Sequence, residues 1–197
     1  AAAHLRLHRP LREAEEAESI VQLRQTQAQG LLRVGTSVAF GRRVVVPLAL
    51  EYMRRHPQVQ IDLSFEDRYV DLIAQGIDVA IRMGKLADSS LGARYLGVNP
   101  WVMVASPAYL KKHGVPKRAQ DLSAHVALIY SSVVGDEFWR MHTPRGEPVT
   151  VPVSGRLRSN NLSAVLAAVR DGLGIALMPH YVASESLAAG KVTAVPP

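Results

Sequence analysis

Polar and apolar residues alternate strictly at one place in this chain, where Val59, Ile61, Leu63 and Phe65 are separated by Gln60, Asp62 and Ser64. That is the period of a strand with one buried face. A shorter strand is predicted from Leu31 to Thr36. Between the two, Val44, Val45, Leu48 and Tyr52 fall at helical spacing, with Pro47 tolerated only near the helix start or at a kink, and His56-Pro57 ends the helix. After the alternating strand, Asp67 is placed to cap a short helix from Tyr69 to Gln75, Gly76 stops it, and Ile77, Val79 and Ile81 make a third strand. Alternating β-α-β-α-β at this spacing predicts parallel strands joined by right-handed crossovers, with ligands beyond the carboxyl ends of the strands.

The rhythm restarts near Val98-Asn99-Pro100. Trp101 to Ala105 reads as a strand, Ser106 as the cap of a helix with Pro107 at its first position, and Gly114 as its stop. Further strands are predicted near Val126 to Tyr130, Phe138 to Met141, Pro148 to Leu157 and Ile175 to Met178. Helices are predicted from Leu162 to Asp171, capped by Asn160 or Asn161 and stopped by Gly172, and from Tyr181 to Ala189. Ahead of all this, Arg12 to Gln29 lacks Gly and Pro and carries only a narrow apolar stripe (Ala17, Ile20, Val21, Leu23, Ala28), which suits a connecting or dimerising helix better than a core helix. The expected layout is therefore α/β: residues 1–30 an extension and linker helix, residues 31–98 a first lobe, and residues 99–197 a second lobe with the start of a return crossover.

Composition narrows the class. With 197 residues and 48% hydrophobic content the chain can bury a sizeable core. The absence of cysteine excludes thiol catalysis and Cys-ligated metal. The net charge of +6 invites a nucleic-acid reading, but Arg42-Arg43, Arg54-Arg55, Lys111-Lys112 and Lys117-Arg118 are scattered pairs rather than one stripe. Charges interrupt the N-terminal stretch up to Arg24, and no window reaches the roughly 18 uninterrupted apolar residues of a membrane span. A cytoplasmic protein without membrane contact is expected.

Motifs for catalysis are absent. His4 and His8 have ligand-like spacing but no third ligand, so no metal site is expected. Gly172-Leu173-Gly174 lies after a helix and before a strand, the reverse of a dinucleotide fingerprint, and no phosphate loop or nucleophile elbow occurs. No cofactor and no enzymatic activity are expected. What remains is a set of polar groups at predicted strand ends: Ser37 and the N–H groups that follow it from Val38, Asp67 and Arg68, Arg82, Ser131 and Ser132, and Asn160 and Asn161. Ser37, Asp67 and Asn160 serve equally well as helix caps. Together the set would converge on one crevice between two α/β lobes, where small molecules bind. The two helix starts, after Ser37 and at Asn160 or Asn161, are expected to present unpaired N–H groups that could hold one small anion between them, with Asp67 opposing it.

Five segments in order carry a resemblance. They are Leu31-Arg33-Val34-Gly35 leading to Phe40-Gly41; Gly76-Ile77-Asp78-Val79-Ala80-Ile81-Arg82-Met83-Gly84; Asp88-Ser89-Ser90-Leu91-Gly92-Ala93-Arg94; Ala105-Ser106-Pro107-Ala108-Tyr109-Leu110 with His113-Gly114; and Gly172 to Pro179. From about Arg12 onward the chain resembles the effector-binding part of LysR-type transcriptional regulators. The resemblance implies two Rossmann-like lobes in the type 2 periplasmic-binding-protein-like architecture, preceded by a linker helix. It implies a small-molecule effector, such as a small organic acid or aromatic compound, and pairing into a homodimer or tetramer. Residue by residue it implies effector contacts at Ser37, Asp67 with Arg68, Arg82, Ser131 with Ser132, and Asn160 with Asn161. DNA would be reached only through a winged helix-turn-helix ahead of the linker, which this stretch does not contain. A closing strand and helix are likewise expected beyond Pro197. A free-standing solute-binding protein of the same fold is the alternative, and a two-lobed transferase a third reading that would need a catalytic acid.

Overall fold

In the first lobe the parallel sheet follows from the alternation. It contains β1 (Gly30–Thr36), β2 (Val59–Phe65) and β3 (Val79–Ile81) in the order β2-β1-β3, with Gly30 opposite Val59 and Thr36 opposite Phe65. The structure, a computed structural model, describes residues 28–67, 75–84, 92–132, 136–142 and 146–196. The predicted linker helix, the helix from Tyr69, Arg68, and most of the Asp88–Arg94 segment lie outside the described residues.

Two of the family-like segments turn out to be partners. The Arg33 N–H donates to the Asp78 carboxylate at 2.8 Å, and the Asp78 N–H returns a bond to the Arg33 carbonyl at 3.0 Å. A side chain on Gly35 would crowd Ile77, 3.3 Å away. Asp78 therefore fastens the chain entering β3 to the middle of β1, and glycine lets Ile77 lie over that strand.

The helix after β1 is continuous but changes pitch. It begins as α1 (Val38–Phe40), widens to a π segment over Gly41–Val45, and continues as α2 (Val46–Arg55). Pro47, in the first turn of α2, has no N–H to return to the preceding turn, and just before it the Val46 N–H reaches back five residues to Gly41. Glycine at 41 is required by approach, since a Cβ there would overlap the Phe65 ring and the Thr36 methyl.

The second lobe holds β4 (Trp101–Ala105), α3 (Pro107–His113), β5 (Leu128–Tyr130), β6 (Phe138–His142), β7 (Pro148–Pro152), β8 (Leu157–Ser159), α4 (Leu162–Arg170), β9 (Ile175–Pro179), α5 (His180–Ala188) and β10 (Thr193–Ala194). β4 runs antiparallel between β10 and β9, while β5 and β8 are parallel and join β9 through a bridge from Ala127 to Ile175. Both faces of this sheet are buried. Val104, Leu128, Ala176 and Met178 enter one core with α4 and α5, and Met103, Ala105, Ile129 and Ile175 enter the other with Tyr109, Leu122 and Trp139.

Helix ends follow the sequence rules. Ser106 Oγ accepts from the Tyr109 N–H at 3.2 Å, and Pro107 opens α3. After α4, Gly172 takes φ +78°, donating to Val169 while Leu173 donates to Ala168, the paired-bond ending that needs a left-handed residue. One prediction fails. The single strand expected from Pro148 to Leu157 is two strands in different sheets, β7 pairing with β6 and β8 with β5. Between them the chain runs so close to Ala127 that a Cβ on Gly155 would strike its carbonyl oxygen. Near the end of the chain, β10 adds to the second lobe's sheet beside β4.

Candidate functional site

The carboxyl ends of β1 and β2 and those of β5, β8 and β9 meet at the junction of the two lobes, and the described members of the sequence-derived set lie at those ends. Trp101 joins them because β4 is antiparallel, its first residue lying opposite Pro179 at the end of β9. α1 crosses the cleft. Ala39 is buried in the second lobe's core, and the Phe40 ring meets Tyr181 of α5 edge-on at 5.3 Å.

On the first-lobe side, Ser37 precedes α1 with extended backbone, but its hydroxyl does not cap the helix. That role belongs to Asp67, whose carboxylate accepts the Val38 N–H at 3.0 Å from 29 residues away. Ser37 Oγ and Thr36 Oγ1 are buried without a hydrogen-bond partner. Arg82 is half-buried, and its guanidinium donates to the Glu66 carbonyl at 3.1 Å. It thus holds the end of β2 beside Asp67.

On the second-lobe side the Ser131 N–H donates to the Ser159 carbonyl at 2.9 Å, and Ser132 Oγ makes a long 3.5 Å contact with the Asn160 carbonyl. Asn161 is the helix cap. Its Oδ1 accepts from Ser163 and Ala164 at 2.9 and 3.2 Å, and its own N–H donates to Ser159 Oγ at 3.1 Å. The expectation of unpaired N–H groups at both helix starts is therefore corrected for three of them. Asp67 takes the Val38 N–H, and Asn161 takes those of Ser163 and Ala164.

Two tyrosines missed in the sequence complete the cleft. Burial raises the Tyr130 hydroxyl pKa, the Asp67 charge raises it further, and a Ser132 hydrogen bond opposes both. Burial is also the main cause at Tyr181, whose hydroxyl is pushed up to about 12; Tyr130 and Asp67 add to the rise, while Arg43 and the nearby Ser37 hydroxyl oppose it. Ser37 is near enough to act on this phenol, although the contact falls short of hydrogen-bond geometry. One first-lobe carboxylate thus acts on two second-lobe phenols, which places both walls within electrostatic reach. Neither was singled out in the sequence, where they serve only as bounds of a strand and a helix, because an aromatic at such a place carries no local sign of facing a cleft.

The surface has concavities elsewhere. One is lined by Gly30, Leu31, Tyr52 and Val59 at the opposite end of β1, about 20 Å from Ser37 by strand rise. It lacks a buried unpartnered polar group. Among the described residues no cluster of His, Asp or Glu could hold a metal, and no helix is long and apolar enough to cross a membrane.

Comparison with known proteins identifies the family and the fold. The chain is 37% identical over 187 residues to the probable HTH-type transcriptional regulator LtrA of Klebsiella pneumoniae, covering 95% of this chain and 60% of that protein. It is 37% identical over 172 residues to the HTH-type transcriptional regulator DmlR of Escherichia coli, covering 86% and 55%. It spans less than two thirds of either. The regulatory domain of CrgA from Neisseria meningitidis superposes with a TM-score of 0.76 at 27% identity, covering 85% of this chain and 81% of that one. Full-length AphB of Vibrio cholerae superposes with a TM-score of 0.77 at 30% identity, covering 94% and 63%. These relatives are transcriptional regulators, not enzymes, and they favour a regulator's sensing domain over a free-standing solute-binding protein. Residues 25–197 match the LysR substrate binding domain, and the chain belongs to that family, with the type 2 periplasmic-binding-protein-like fold of LysR-type regulatory domains.

Proposed function

We propose that this domain senses a small-molecule effector held in the cleft, in the cytoplasm, and passes the change to a winged helix-turn-helix belonging to the whole regulator. The observation that carries the reading is Ser37, whose buried hydroxyl has no partner where the first lobe's strand ends face the second lobe's phenols. A buried unsatisfied hydroxyl costs about 1–3 kcal/mol, and a ligand that completes its bond recovers that loss. Arg68 joins Asp67 in this proposal on sequence grounds. Ser131, Ser132 and Asn160 are exposed and supply the second-lobe contacts. An effector shifts the lobes only by binding one arrangement better than another, and α1 connects the two: its start bears Ser37 and its next residues lie on the second lobe.

A thermal-shift screen of small organic acids, amino acids and aromatic compounds identifies the effector, because stabilisation grows with the logarithm of ligand over Kd. Ser37→Ala then weakens its binding by about 0.5–1.5 kcal/mol for a neutral hydrogen bond, and by more for one to a charged group. Unchanged affinity in a Ser37→Ala protein shown to be folded would remove the cleft as the site.

Pairing into a homodimer or tetramer belongs to the same proposal. No residue of α2 is buried, and Leu48, Leu50, Tyr52 and Met53 on it are exposed beside Leu31 of β1. So much apolar surface on one helix is characteristic of a face that meets another chain. Sedimentation of the 197-residue chain tests it, and Leu48→Glu shifts any dimer toward monomer.

A further inference from the structure

Four rings line the cleft in an arc from one lobe to the other. Trp101 lies 6.4 Å from Tyr130, Tyr130 acts electrostatically on Tyr181, and Tyr181 meets Phe40 of the first lobe at 5.3 Å. The chain has only three Phe, two Trp and six Tyr, and four of these eleven stand in this series, Tyr130 and Tyr181 packing in part against the second lobe's core. Trp101 is 42% exposed and Tyr130 half-buried, which leaves part of the aromatic surface open to a ligand. Beside the rings stands the Asp67 carboxylate, with one oxygen on the Val38 N–H, and the unpartnered Ser37 hydroxyl.

Resting on the cleft reading above, we propose that the effector is a planar, ring-bearing molecule with an N–H or O–H donor for Asp67 and an acceptor for Ser37, rather than a simple carboxylate. Aromatic surface favours a flat partner, through ring stacking and, for a positively charged donor, through attraction to the ring faces. A carboxylate placed at α1 would meet the Asp67 charge at short range and compete with it for the Val38 N–H, whereas a donor uses the lone pairs that Asp67 has left. This narrows the class expected from the sequence, which admitted a small anion or an aromatic compound and set Asp67 against the anion.

Three probes separate the terms: benzamide, which is flat with donor and acceptor; cyclohexanecarboxamide, which keeps the amide and loses the flat ring; and benzoate, which keeps the ring and replaces the donor with charge. The readout is the 1H–15N NMR shift of the Val38 amide and the Trp101 indole N–H in the 197-residue chain. Benzamide is expected to move both saturably, about tenfold more tightly than benzoate, the discrimination of one hydrogen bond to a charged group, and about fivefold more tightly than cyclohexanecarboxamide, which loses only the ring contacts. In Asp67→Asn, whose amide oxygen can still cap Val38, benzoate should gain until it matches benzamide. Val38 and Trp101 shifts that favour benzoate or cyclohexanecarboxamide in the unmodified protein would overturn the proposed class and leave the cleft reading standing. No shift at Val38 with any probe would overturn the class as well, while the cleft reading keeps its own test in Ser37→Ala.

Discussion

The two lobes share an alternating α/β plan and differ in how completely they bury it. In the second lobe the sheet is covered on both faces, and Val104, Val165, Val169, Ile175 and Met178 are fully buried. Among the described residues of the first, only Val34, Thr36, Ala39, Gly41, Val45 and Val59 and their neighbour Gly35 reach the buried class, one of them inside the other lobe's core, and α2 buries nothing. The second lobe is a platform that stands on its own packing. The first is finished by what it touches, and that dependence suits it to report a ligand or a partner.

The largest effect that can break this contrast is a pair of truncations. Ile175→Ala removes a fully buried side chain and is expected to cost about 2–5 kcal/mol, whereas Leu48→Ala on exposed α2 changes monomer stability by about 0.5 kcal/mol or less, both by urea denaturation. Equal losses would mean that the lobes are packed alike. Gly41→Ala sharpens the picture from the other side, because it attacks the tightest point of the loosely packed lobe. Overlap with Phe65 and Thr36 should lower stability by about 1–3 kcal/mol, and a thermal melt together with the Ser37 amide shift would show whether the cleft wall moves with it.

Smaller is the cap. Asn161→Ala should cost about 1 kcal/mol and Asn161→Asp almost nothing, since aspartate accepts the same N–H groups and suits the positive helix end. Urea denaturation checks it, and a loss in Asn161→Asp as large as in the alanine variant would mean that acceptance by the Asn161 oxygen is not what holds the helix start. The smallest effect is a pH dependence. Burial, with the neighbouring His113 charge, lowers the His125 pKa below its ordinary value, so the unfolded chain binds the proton more readily. Its contribution is whole above about pH 6.5 and is lost as pH falls through the lower folded value. Tm should therefore decline on acidification in the unmodified protein, and less steeply in His125→Asn.

How far the sequence spoke depended on the range of each interaction. β2 was legible because alternation is local, and α3 was legible because Ser106, Pro107 and Gly114 signal its ends within eight residues of one another. Asp67 was read as the cap of the helix that follows it. Its contact with Val38 spans 29 positions, and no short window holds both. The split between β7 and β8 was hidden for the same reason, since what forces it is a carbonyl at Ala127. Ser37, Asp67 and the Asn160-Asn161 pair were singled out because polar residues at strand ends are conspicuous, while Tyr130 and Tyr181 carried no such local mark. Which side of an aromatic ring faces a cleft is decided by the other lobe.

The π segment has a consequence for how this region tolerates gain or loss of residues. Gly41–Val45 carries one residue more than an α-helix of the same rise would need, so deleting one there could leave a regular helix that is still hydrogen-bonded. Five residues of a π turn and four of an α-helix advance by nearly the same angle, so such a deletion would leave Val38–Phe40 facing as they do against Val46–Arg55, with Phe40 on Tyr181 and the Val38 N–H on Asp67. A deletion in the regular turns would instead rotate the segments on either side of it by about 100°. Length in this helix is therefore spare at the π segment and constrained in the turns around it.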